Sequence, residues 1–573
     1  MGMVLVMGTA IASGCSRPPA ATSPETAEAA IAPRDPATLR MLYSQTPVTL
    51  NPHLATGIQD FEAGRIVLEP LASADERGNL VPILAATIPT VENGDVAADG
   101  KSVTWRLKPD VQWSDGEPLT AEDVVFTFNF VRNPQVGAAT AQYYEAVAAV
   151  AAIDDLTVKI TFKDVTAAWQ IPFTGQTGVI LPQHVFAAAT DAAVREAPLN
   201  QQPVGTGPYQ VVAVQPGSIQ FEPNPNYRDR APFFKQVELV GGLAPYAAAR
   251  EVLSTGTADF AHNLQVEVEL LQDLQAEGKG VVDTVFGGLV ERLMLNPTDP
   301  FAETATGERA SLAAQHPFLA DPQVRQAIAY AIDRDTITDQ LYGFTGRPTA
   351  QLLVAPRPYA NPGTVPYEYD LEQAKTLLDE AGWTDTDGDG IRDRDGKPMA
   401  VVFQTSVNPV RQKTQTLIAE NLEAIGMDVE IKRVRVDDFF SADPAQTNSI
   451  NHFYADLQAY TTGNDHPDPT IYLSWWTCDQ IASQANQWQK PNNARYCNAE
   501  YDALWAAAQQ ELNPERRAAL FQEMDALLAA DAAVIPLVHR ATANGLSQDL
   551  TGLAPTPWDT TTWDIARWQR TAE

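Results

Sequence analysis

Asp385, Asp387 and Asp389 stand at alternate positions in the run DTDGDGIRD, with Gly390 sixth and Asp393 ninth. That is how the first half of an EF-hand-like loop presents oxygen to a hard cation. Alternate carboxylates converge on one ion, the Ile391 carbonyl adds a ligand, and Asp393 or Asp395 closes the shell, so a structural calcium is one expectation. Position twelve is Gly396 and no bidentate Glu is present, which leaves an acidic, solvated hairpin tip as the alternative. Catalytic patterns are missing. There is no H-E-x-x-H and no G-x-S-x-G, and the seven His (53, 184, 262, 316, 452, 466, 539) lack metal-like spacing. Gly94 to Ser102 imitates a phosphate loop but has the wrong glycine spacing and precedes a strand, so it reads as a turn.

These residues need positioning elements, and the sequence marks several. Val103, Trp105 and Leu107 alternate with polar residues as in a half-buried strand, and Ser114-Asp115-Gly116 makes a turn. Thr120 and Asp123 form a capping box ahead of Val124, Val125, Phe128 and Val131, and Asn133-Pro134 ends that helix. Leu156, Val158, Ile160 and Phe162 predict another strand. Helices are predicted from Asp321-Pro322, from Asp370 with Gln373 to a stop at Gly382, and from Asn513-Pro514 to about Ala529. Strands alternating with capped helices make the class α/β.

At 573 residues with 45% hydrophobic composition, the chain has core material for two or three domains. Thirty-nine basic against 72 acidic residues leave a formal charge of −33, and no Lys/Arg-rich stripe with interleaved aromatics appears. A nucleic-acid partner is therefore excluded. The charge reads as solubility and surface repulsion.

Met3 to Ala12 is a short apolar run shaped like the core of a signal peptide, and Ala12-Ser13-Gly14-Cys15 is similar to the bacterial lipobox. Residues 1–15 are thus expected to be a lipoprotein signal, with Cys15 acylated. No Lys or Arg precedes Cys15, so the true start is expected upstream. Residues 16–38, rich in Pro, Ala, Thr and Glu, are expected to be a disordered tether to the outer face of the cytoplasmic membrane or the periplasm. Acylation of Cys15 leaves Cys478 and Cys497, an even pair in an exported chain, so a disulfide closing a loop of about 20 residues is expected. Two free thiols, or a metal pair with His466, are the alternatives.

The segment Trp105 to Phe130, with its WSDG, PLTAEDVVFT core, closely resembles the family 5 extracellular solute-binding proteins, the dipeptide, oligopeptide and nickel receptors of ABC importers. Further matches follow in order: TLNP (Thr49 to Pro52), PVGTGPY (Pro203 to Tyr209), NPNYR (Asn224 to Arg228), DPQVRQAIAYAIDRD (Asp321 to Asp335) and YDLEQAKTLLDEAGW (Tyr369 to Trp383). The resemblance implies a two-lobed class II periplasmic-binding-protein fold of the large type. It assigns 39–70, 203–287 and 541–573 to lobe I, 71–202 to a subdomain of that lobe, and 288–540 to lobe II. Ligand contacts from both lobes then favour the closed state.

The resemblance also implies site residues. TTGNDHPDP (Thr461 to Pro469) matches a family motif in which an Asp pairs with a peptide's α-ammonium, which places Asp465 in that role, although His466 replaces the usual aromatic. A turn-forming Asp is the alternative reading, and Asp468 is expected to be one. The loop His53 to Gly57 corresponds to a region that gives ligands backbone hydrogen bonds, implicating Ala55, Thr56 and Gly57, and Trp475 and Trp476 are candidates to wall a side-chain pocket. The function implied is a monomeric, non-enzymatic, lipid-anchored receptor that delivers peptide to an ABC permease. An oligosaccharide or metal chelate in the same fold, or a secreted carboxylate-dependent hydrolase, are the alternatives.

Overall fold

The computed structural model describes residues 34–188, 192–361 and 367–571. The signal segment, Cys15 and the tether as far as residue 33 lie outside the described residues. Among the described residues no helix is long and apolar enough to cross a membrane.

Helix Ala121–Arg132 forms where the capping box predicts it: Asp123 accepts from the Thr120 N–H at 2.8 Å, and Asn133 is the C-cap. Val124 and Val131 face inward at 0% and 1% exposure. Strand Ser102–Arg106 buries Val103 and Trp105 and pairs antiparallel with Thr157–Phe162, which pairs with Val147–Asp154. This three-stranded sheet and the helix share a core with Trp113, Tyr144 and Phe173. Gly116, at φ 94, makes the turn between strand and helix in a conformation that costs a side-chain residue energy.

A second, 11-stranded sheet runs through the rest of the chain. At one end Thr38–Leu42 lies parallel to Gln236–Val240 and Phe260–Ala261. At the other, Ala400–Ser406 lies parallel to Asp428–Val434 and Leu457–Asn464. Two long antiparallel strands, Gly280–Leu295 and Val534–Ser547, join the halves. Helices Pro322–Ala331, Leu371–Glu380 and Pro409–Glu423 cover one face of the far half. Thr470–Ser474, Ala499–Gln510 and Pro514–Ala530 cover the other, over an aromatic core that includes Tyr460, Tyr472 and Phe521.

The joining strands are not regular. Their register runs to Phe286↔Ala541, then resumes at Val290↔His539, so residues 287–289 form a bulge. A bulge bends a strand locally without ending its pairing. Gly288 sits within it because a Cβ there would lie 2.1 Å from the Asn464 carbonyl oxygen. The bulge therefore divides the pairing of the two joining strands into two stretches.

One boundary moves. Residues 34–38, read from composition as tether, are docked: Arg34 pairs with Asp259 at 3.0 Å and Asp549 at 2.7 Å, and Thr38 begins the first strand. Polar composition conceals this, because two distant carboxylates, not apolar burial, fix the segment.

Candidate functional site

Asp465 follows directly on strand Leu457–Asn464 and faces residues from the subdomain. The Tyr143 hydroxyl donates to its Oδ2 at 3.0 Å, and Gln176 also bonds its carboxyl. Burial pushes the Asp465 carboxyl above its usual range, only partly opposed by these neutral donors. By accessible surface the residue is nevertheless exposed, although its partner Tyr143 is buried. Among the described residues it has no cationic partner, so its charge is open to one brought from outside the protein.

Three residues on, Asp468 has the opposite fate. It is fully buried and accepts from both terminal nitrogens of Arg517, with Nη2 at 3.0 Å. It also caps the next turn, accepting from the Thr470 N–H at 3.0 Å and hydroxyl at 2.7 Å. Burial pushes Asp468 up, but the Arg517 charge and these bonds outweigh it and hold the carboxyl below its usual range. The turn role expected for Asp468 is therefore joined by a buried ion pair that the sequence did not show. His466 between them is neutral: burial lowers it to about 4, its Nδ1 accepts from the Asp468 N–H at 2.9 Å, and Nε2 reaches Thr174 Oγ1 at 3.3 Å. Gln170 crosses to Asp468 at 3.1 Å, so both sides of the cleft touch this loop.

The His53–Gly57 loop supports the opposing wall. His53 is buried, with ring nitrogens on Thr140 Oγ1 at 2.7 Å and the Val179 carbonyl at 2.9 Å, and its own carbonyl accepts from Ala139 at 2.8 Å. It thus fixes both the turn that carries Tyr143 and the strand end beyond Gln176. Ala55 and Thr56 are less available than the resemblance implies. The Thr56 N–H and hydroxyl donate to Asp60 at 2.8 and 3.0 Å, and the Ala55 N–H donates to the Pro52 carbonyl at 3.3 Å. Asp60, in the first turn of helix Ile58–Gly64, organises this loop from behind. Gly57 caps that helix with extended backbone, and Thr56 is exposed.

Trp476 is 2% exposed and packs in the aromatic core, with the Arg292 guanidinium 5.4 Å from its ring centroid. Tyr460 and Tyr472 face the same guanidinium, with ring centroids at 5.1 and 5.9 Å, so the Trp476 ring is packed in this core. Trp475 packs edge-on against Tyr472 at 5.5 Å and stays half-buried.

Cys478 and Cys497 form the expected disulfide, with Cα atoms 4.6 Å apart. That removes the thiol and metal alternatives, and His466 is engaged elsewhere. In the acidic loop Asp385, Asp387 and Asp393 each place a carboxylate oxygen within 4.8 Å of the others. Asp389 is not in this group; its Oδ1 accepts from the Ile391 N–H at 2.8 Å. Asp385 accepts from Gly388 at 2.7 Å and Gly390 at 3.1 Å, which winds the loop around its carboxylates.

Sequence reasoning missed Tyr143, Gln176 and Arg517. Each lies on a different segment from the aspartate it serves, and periodicity reports which way a side chain faces, never which distant residue it meets.

Comparison with known proteins follows the same lines. The family model described as bacterial extracellular solute-binding proteins, family 5 middle, matches residues 52–484. The chain is similar to the nickel-binding periplasmic protein of Escherichia coli, 28% identical over 67% of this chain and 68% of that protein. It is similar to the oligopeptide-binding protein AppA of Bacillus subtilis, 27% identical over 68% of this chain and 67% of that one. The solved structure of the same AppA with a nonapeptide shares the fold at a TM-score of 0.76, with 22% identity, covering 94% of this chain and 100% of that one.

Proposed function

Because the chain belongs to family 5 of the bacterial extracellular solute-binding proteins, we propose that it is the receptor of an ABC importer. In this reading it captures a peptide between its lobes and hands it to the membrane permease, held to the membrane through acylated Cys15. It performs no chemistry on the ligand. The observation that carries the reading is Asp465: a carboxylate with neutral donors and, among the described residues, no cationic partner, in a loop whose neighbouring aspartate is already neutralised. A peptide's α-ammonium supplies the missing charge, and in a cleft closed to water such a bond is strong. Relatives described as oligopeptide-binding support the same class.

Calorimetric titration tests this with a free-amine peptide and its N-acetylated form, on wild type and Asp465→Asn. Truncating one member of a desolvated charge pair commonly costs about 2–5 kcal/mol, so the mutation should weaken the free-amine peptide at least about thirtyfold. The acetylated peptide should be almost indifferent. Equal affinity of both proteins for the free-amine peptide would remove Asp465 from the site. Failure of either form to bind wild type would remove the peptide reading and favour a sugar or chelate, which mass spectrometry of the co-purifying ligand would identify. In the acidic loop we assign the Asp385, Asp387 and Asp393 oxygens to a structural calcium, with no part in ligand capture.

A further inference from the structure

A small cavity lies beside Arg540, on the second joining strand. Its volume is about 20 Å³. Roughly 10–15 Å³ accommodates one water, so the space takes one water or one monatomic ion and nothing with several heavy atoms. Four stretches remote in sequence meet around it and contribute polar side chains: Gln265, Tyr342 with Thr345, Asn408 with Arg411, and Arg540. The rest of the wall is aliphatic, and no carboxylate lines it.

What faces the cavity is cationic and rich in donors. Arg540 is 6% exposed, one terminal nitrogen donates to Asn263 Oδ1, and its Nε has no acceptor among the described residues. Arg411 lines the same space, but its charge is already met: Nε donates to both Glu291 oxygens, at 3.1 and 3.3 Å. Among the described residues no carboxylate makes an ion pair with Arg540; Glu291 attracts it from farther off while Arg411 repels it. His262 brings no negative charge, since burial, helped by Arg540, lowers it to about 3 and leaves it neutral. The Gln265 amide completes the set. Asn408 caps helix Pro409–Glu423, its Oδ1 accepting from the Arg411 N–H at 3.0 Å, so its Nδ2 is the end that donates to Gln265 Oε1, also at 3.0 Å. That leaves the Gln265 amide nitrogen without an acceptor among the described residues. The helix adds its positive end to the same region.

A water in this cavity would accept from these donors but leave the guanidinium charge uncompensated, and such a buried charge is among the costliest features a fold retains. We infer that the cavity is a halide site, in which one chloride sits between Arg540 and the Gln265 amide. The site is independent of the ligand proposed above and of Asp465. Its walls come from four segments that meet beside the joining strands, so a bound chloride ties residues 264–266 to the start of helix Pro409–Glu423 and stabilises the folded chain by mass action.

Thermal unfolding of ligand-free protein in chloride against gluconate, at a constant ionic strength of ~150 mM, tests this, because gluconate is too large for the cavity. With chloride tenfold above its dissociation constant the folded state gains about elevenfold over the unfolded one, so the melting temperature should rise by roughly 3 °C along a saturable curve. Arg540→Gln should abolish that rise. Equal melting temperatures of wild type in chloride and gluconate, or a chloride rise retained by Arg540→Gln, overturn the inference. Should Arg540→Gln fail to fold, wild type crystallised in bromide decides, since bromide replaces chloride and is located by its anomalous scattering. A bromide peak beside Arg540 upholds the site, and a cavity that holds water or nothing overturns it.

Discussion

Asp465 and Asp468 stand three positions apart, yet replacing each by Asn should have opposite effects on the empty protein. Asp468→Asn leaves Arg517 4% exposed, with the Thr470 hydroxyl, the Ala508 carbonyl and the Tyr359 side chain as remaining partners. Breaking a buried pair from one side costs about 3–5 kcal/mol, and Asn preserves part of the hydrogen bonding, so about 3 kcal/mol is expected. At about 2–4 °C per kcal/mol for a domain of this size, the melting temperature should fall by roughly 10 °C. Asp465→Asn removes a charge that has no cationic partner among the described residues, while Tyr143 can still donate to the amide oxygen. Its empty form should be as stable as wild type or slightly more so, and only its affinity for free-amine peptide should fall. Thermal and urea unfolding of protein refolded free of ligand, beside calorimetry, separates the two effects. If Asp465→Asn destabilised the empty protein as much as Asp468→Asn, Asp465 would be a structural residue and the assignment of the cleft would be wrong.

Other outcomes follow from single features. Replacing Cys478 and Cys497 by Ser should cost about 3 kcal/mol, the chain-entropy value for a separation of 19 residues, and a thiol reductant should lower the melting temperature of wild type but not of the double variant. Millimolar calcium should raise the melting temperature of metal-stripped protein, and Asp385→Asn with Asp387→Asn should abolish the rise; no shift in wild type would leave the loop a solvated hairpin tip. Burial raises Glu62 from 4.5 to about 7, so its contribution to stability is complete below pH 4.5 and is lost as pH climbs through 7, by about 3 kcal/mol; Glu62→Gln should flatten that decline in urea unfolding. Cys15→Ser should release the protein from membranes, and an intact mass showing unmodified Cys15 from the native host would refute the anchor.

Local structure was legible where the signal is local. Thr120 and Asp123 announce their helix because a capping box satisfies backbone donors within one turn, and Val103 and Trp105 announce their strand because one face is buried. A family motif singled out Asp465, but the pairing of its neighbour was not legible. Asp468 reads as a turn residue, and nothing near it shows that Arg517 closes on it from a helix 49 positions away. The engagement of Thr56 was hidden for a related reason: Asp60, four residues on, turns back from the first turn of its helix and accepts from the Thr56 N–H and hydroxyl. Trp476 was ambiguous because an aromatic ring serves a core or a pocket equally well, and Arg292, against which it packs, lies on a strand distant in sequence.

The bulge at residues 287–289 has a further consequence for Asp465. Gly288 is opposite Asn464 in the sheet, so Asp465 follows directly on the residue that faces the bulge. A bulge bends a strand locally, and a group beside a bend travels less for a given change of angle than one remote from it. A change of angle between the two stretches of the joining strands would therefore leave the surroundings of Asp465 nearly unaltered, whereas contacts farther from the bulge would be made or broken.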